Sequence, residues 1–151
     1  MPILFTIGRV AFVLIFILSG AQKLMDISGT AALIGPKLFV PAFAADVVKQ
    51  IEGTAKLPLA QIVAILVGVV EVASGLLIAF NIATRFASVL LILFTIAVTY
   101  YFHDFWNMTG AAQSDATIHA MKNLSMLGAL LILFVLGSWR PVATDPDETR
   151  Y

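Results

Sequence analysis

The chain has 151 residues, 60% hydrophobic and only 12% charged, with a mean hydropathy of +0.98, which takes it out of the soluble globular range and into that of polytopic membrane proteins. Nine basic residues balance nine acidic ones, so no basic field exists to attract nucleic acid. The absence of cysteine excludes disulfides, thiol catalysis, iron–sulfur ligation and cysteine-bound zinc, so redox chemistry needs a bound cofactor or a partner subunit.

Residues 3–22 form the first apolar run. It is too long for the hydrophobic region of a signal peptide, carries Arg9 inside it and lacks a clear small-residue cleavage site, so it is expected to remain as a mature helix. Residues 23–58 are too polar to span a bilayer and have Pro36, Pro41 and Pro58 at their turns. Within them Phe43, Val47, Val48 and Ile51 recur at helical spacing while Asp46, Lys49, Gln50 and Glu52 fall elsewhere, which predicts a short interfacial amphipathic helix.

The second run, 59–80, and the third, 85–102, are joined by a few residues around Asn81 and Thr84, which forces an antiparallel hairpin. Residues 104–117, with Gly110 and no Lys or Arg, are expected as a polar loop before the fourth run, 118–139. The acidic, Pro-containing tail 141–151 is expected to be disordered. A bilayer crossing takes roughly 20 apolar residues, and backbone in lipid must satisfy its hydrogen bonds internally, so all four runs are predicted helices. The predicted fold is all-α: one transmembrane four-helix domain over 1–140, with the interfacial helix in its first long loop, followed by a polar tail.

Four spans put both termini on one side. Arg85, Arg140 and Arg150 there face Lys37, Lys49 and Lys56 on the other, and Arg9 with the terminal amine tips the expectation towards cytoplasmic termini.

Glu71 is a lone carboxylate near the middle of the second run, where an ionised group costs at least about 2.5 kcal/mol unless paired or neutralised. Arg9, the only charge inside the first run, is expected at a matching depth and is the predicted partner. Ala64, Gly68, Glu71, Gly75 and Ala79 step by four, three, four and four, a small-residue stripe that turns Glu71 towards another helix and away from lipid. An Arg9–Glu71 pair has two readings: a lock between two helices, or the floor of a polar cavity that binds a head group or relays protons.

A second group collects at the other surface. Lys23 and Asp26 close the first run, His103 and Asp104 close the third, and His119 and Lys122 open the fourth, so antiparallel packing brings them to one level. His103 continues a stripe of Ser88, Thr95 and Thr99, and His119, Lys122 and Met126 share a face. No metal-ligand spacing of the HxxxH or ExxH kind is present, so no metal site is expected, and two haem-ligating histidines would both have to reach inward from helix ends. A quinone head group beside an apolar slot suits Lys23, His103, Asp104, His119 and Lys122 better, the plain alternative being wetted helix ends. Phe105, Trp106 and Trp139 are expected as interfacial anchors.

These residues resemble a known family. Arg9 followed by Ser19-Gly20-Ala21-Gln22-Lys23-Leu24 is similar to the "R…(S)GxxKL" signature of the DoxX family of small four-helix membrane proteins. Gly68-Val69-Val70-Glu71-Val72-Ala73-Ser74-Gly75-Leu76-Leu77 resembles its "GxxExxxGLLL" pattern, and Thr84-Arg85 its basic opening of the third helix. His103-Asp104-Phe105-Trp106 and Lys122-Asn123-Leu124-Ser125-Met126-Leu127-Gly128 resemble the "HxFW" and "KNLxxLG" motifs of one bacterial branch, while Gly137-Ser138-Trp139-Arg140-Pro141 replaces the family's Gly-rich ending.

The resemblance implies a bacterial inner-membrane protein, in some cases a quinol-oxidase or thiosulfate:quinone oxidoreductase subunit, in others part of oxidative-stress membrane complexes, with distant relatives acting as assembly chaperones. The leading expectation is therefore an accessory or quinone-interacting subunit of a membrane redox complex. It has no intrinsic cofactor, contacts lipid, and has other membrane subunits or copies of itself as partners. The competing expectation is a non-enzymatic scaffold or assembly factor on a larger membrane protein. A transporter is disfavoured, because the two polar clusters are expected to be separated by apolar helix.

Overall fold

A computed structural model describes residues 2–137; the polar tail, Trp139, Arg140 and Arg150 lie outside the described residues. Six α-helices follow one another: α1 (Pro2–Met25), α2 (Ile27–Ile34), α3 (Ala45–Ala55), α4 (Leu59–Ala79), α5 (Thr84–Phe102) and α6 (Gly110–Leu136). Four of them, α1, α4, α5 and α6, are long and apolar enough to cross a membrane, and no strand occurs among the described residues.

Two helical stretches were not expected from composition. Asp26 ends α1 and caps α2, its carboxylate accepting a 2.8 Å hydrogen bond from the Gly29 N–H, so the chain turns and restarts as a short helix against α4. The polar stretch 104–117, predicted as a loop, is helical from Gly110 onward after a 3₁₀ turn at Phe105–Asn107. Ala111, Ala112 and Gln113 are good helix formers, and polar residues beyond the hydrocarbon do not interrupt a helix that is apolar further on. Gly110, at a φ of 64°, supplies the left-handed turn that admits this early start.

The amphipathic helix is α3. Val47 and Ile51 on it, and Phe43 just before it, are exposed. Glu52 of α3 reaches the start of α4, accepting 2.6 Å from the Leu59 N–H, one of the unpaired donors at that helix start.

The most extensive packing is α1 against α4, and small residues make it possible. A Cβ added at Gly20 would lie 2.7 Å from the Gly68 carbonyl oxygen and 2.8 Å from Glu71 Cβ; one added at Gly68 would lie 2.8 Å from Leu24 Cγ. The stripe predicted on α4 is thus the surface that α1 occupies. Val13, Phe16, Ile78, Ala87, Leu91, Leu130 and Leu133 then fill the half of the bundle nearest the termini, while Leu4, Leu18, Leu66, Leu93, Ile96, Leu124 and Leu131 are exposed, as lipid-facing positions should be.

Candidate functional site: a one-ended polar cavity

The site begins with one turn of α1. Lys23 follows Ser19 by four residues, and its ammonium donates a 2.6 Å hydrogen bond to Ser19 Oγ, which draws it back along its own helix into the bundle. There it lies 2.8 Å from Glu71 Oε2 and 5.9 Å from the centre of the Phe94 ring. Glu71 is 2% exposed. Gly20, between Ser19 and Lys23, lets the α1 backbone approach closely enough for this contact, and Leu24 packs into the space left at Gly68.

The expected Arg9–Glu71 pair is therefore corrected: the carboxylate's partner is Lys23. Arg9, 9% exposed, donates 3.3 Å to the Ala79 carbonyl and has its guanidinium 5.7 Å from the Phe5 ring centre. Ala79 is in the last turn of α4, about 12 Å along the helix from Glu71 at 1.5 Å per residue. Arg9 thus caps a helix end, where a cation compensates unpaired carbonyls and the helix dipole. Both cations were visible in the sequence, but matching Cα depths ignored the four-carbon stem by which Lys23 reaches inward.

The second cluster is assembled by the ends of α5 and α6. The rings of His103 and His119 stack with centroids 4.9 Å apart and planes 18° apart. Asn123, one turn beyond His119, donates 2.9 Å to Thr99 Oγ1 across the α5–α6 contact. Thr95 and Thr99 each donate 2.7 Å to a carbonyl of their own helix, which leaves their oxygens free to accept. Asp104, expected with this group, does not line the cavity; its Oδ2 takes a 3.4 Å bond from Asn107 over the 3₁₀ turn.

These two clusters belong to one cavity of about 670 Å³, so the expected apolar separation between them is also corrected. Lys23 and Glu71 line it together with His103, His119, Lys122, Asn123 and Thr95; Phe16, Val63, Val67, Phe94, Val98 and Met126 give it apolar walls. Thr30, Leu33 and Ile34 of α2 and Lys37 after it also line it. Phe16 also belongs to the packed core, which closes the cavity towards the termini. Sequence reasoning missed Ser19, Asn123 and Lys37. The first two are marked by their spacing of four from Lys23 and His119, while Lys37 sits in a stretch whose composition reads as polar loop.

A four-span bundle with a cavity closed at one end and polar at the other defines a small integral membrane protein whose cavity presents both polar and apolar walls. The chain belongs to the DoxX family, whose profile matches residues 4–104, from α1 to the end of α5. It is 33% identical over 136 residues to inner membrane protein YphA of Escherichia coli (strain K12), a match that covers 90% of this chain and 84% of that protein. No solved structure matches the chain at a significant level.

Proposed function

We propose that the chain is an accessory, quinone-interacting subunit of a membrane redox complex, and that its cavity receives the quinone head group. The observation that carries this reading is the single cavity in which Lys23, Glu71, His103, His119 and Lys122 converge against apolar walls. Its size falls in the roughly 300–1,000 Å³ range of small-molecule sites, where a few placed polar groups orient a largely apolar ligand.

The chemistry fits. A quinone offers two carbonyl acceptors, and the ammonium of Lys122, the amide of Asn123 and the two imidazoles are donors at one level of the bundle. Reduction to the quinol takes two electrons and two protons. Imidazole nitrogens both donate and accept hydrogen bonds, and a stacked pair at the helix ends beside the cavity suits a path for those protons. The electrons come from a partner subunit, since a cysteine-free chain ligates no iron–sulfur centre through thiolates.

We place the protein in the bacterial inner membrane, as the name of its E. coli relative supports, with both termini cytoplasmic. The cavity then opens towards the opposite face. Reporters fused after Tyr151 and inserted at Gly53 should be active on opposite sides of the membrane, the former in the cytoplasm.

Purification in mild detergent tests the reading. An ultraviolet-absorbing quinone should accompany the wild-type protein and be lost from His103→Ala and Lys122→Ala. A stoichiometric protein partner kept by those variants, with no quinone in any sample, would instead favour a scaffold.

A further inference from the structure

The spanning helices do not form a closed ring. α1 packs along α4, α4 on α5 and α5 on α6, whereas α6 and α1 barely meet. In the half nearest the termini the side chains of these two helices still join, Val13 and Phe16 belonging to one core with Leu130 and Leu133, so the opening is confined to the other half. There both helices face the cavity, Ile15 and Ser19 on one side and Lys122 and Met126 on the other. Leu18 is exposed at this depth on α1, and Leu14 and Ile15 are exposed at its lower edge.

We propose, building on the quinone reading above, that the cavity is entered from within the bilayer through this seam, and that the apolar chain of a bilayer-dissolved amphiphile stays in the seam while its head group meets Lys23, Glu71 and the histidine pair. The distribution of polarity dictates that orientation. Polar groups lie towards one end of the cavity, while Ile15, Phe16 and Met126 lie towards the other. The core closes the way down, and α2 with the Gly35–Lys37 turn lies along another side, so a chain too long for about 670 Å³ leaves sideways into lipid. An aqueous solute would need no such opening; a membrane-dissolved molecule does.

The absence of cysteine makes the test direct. In nanodiscs, Val98→Cys places a bimane label on the cavity wall, and phospholipids brominated along their acyl chains report whether lipid tails reach it. Strong quenching is expected, reduced at least threefold in the same protein carrying Ile15→Phe and Met126→Phe, or Ile15→Phe alone if the double variant folds poorly. The seam variant should also weaken binding of a decyl-chain quinone about tenfold more than binding of a tailless analogue. No quenching in the open protein, or quenching indifferent to the phenylalanines, overturns the proposal. A quenched label in a protein that binds neither quinone refutes the quinone reading and leaves the seam standing; binding of both quinones without quenching does the reverse.

Discussion

Lys23 and Glu71 join the end of α1 to the middle of α4, with ammonium and carboxylate 2.8 Å apart and Ser19 holding the lysine from its own helix. Ser19, Gly20, Lys23 and Leu24 each have a separate physical task at this contact. One fixes the cation, one removes a side chain so that backbones approach, one pairs with the carboxylate, and one fills the groove at Gly68. Charge pairing and close packing reinforce each other here, because neither is possible without the other's register.

Breaking the pair from one side should be worse than removing it. Lys23→Met leaves a buried carboxylate without its cation and should cost about 3 kcal/mol, whereas adding Glu71→Leu should recover most of that loss. Thermal unfolding in detergent across the four proteins gives the coupling.

Glycine substitutions should differ in sign. Gly20→Ala drives a methyl group to 2.7 Å from backbone oxygen and should destabilise by about 1–3 kcal/mol. Gly128→Ala meets nothing within 4 Å and should be neutral or stabilising by up to about 1 kcal/mol, since alanine is the better helix former. The same unfolding assay compares them.

Arg9 should matter for stability and not for ligand. Arg9→Leu removes the cap on the Ala79 carbonyl and should cost about 1–2 kcal/mol, with quinone content per folded protein unchanged. Loss of quinone from well-folded Arg9→Leu would return Arg9 to the cavity.

Asp26→Ala should free the start of α2 at a cost of about 1 kcal/mol, because Gly29 loses its acceptor. As α2 lines the cavity, ligand dissociation should quicken while the spanning helices keep their helicity by circular dichroism.

The spans were legible because hydropathy and length alone decide them, and the α4 stripe was legible because small residues around Glu71 repeat at helical spacing. What escaped was local. The eight residues of α2 carry no periodic signal, and only Asp26 before Ser28-Gly29 marks the restart. The first turns of α6 are polar and read as a loop by composition, although polarity there reports position relative to lipid and not backbone conformation. The choice of Lys23 over Arg9 depended on which glycine of α1 faces Gly68. That is a fact of helix register, and charge counting along one chain does not contain it.

The most direct measurement is photoaffinity labelling with an azido-quinone in native membranes, followed by peptide mapping. Light-dependent adducts are expected from the second half of α5 to His103 just after it and in the first half of α6, around Phe94, His103, His119 and Asn123, competed by unlabelled quinone and absent in His103→Ala. Adducts confined to outward residues such as Leu66, Leu93 or Leu131, or labelling that unlabelled quinone does not displace, would contradict the quinone reading.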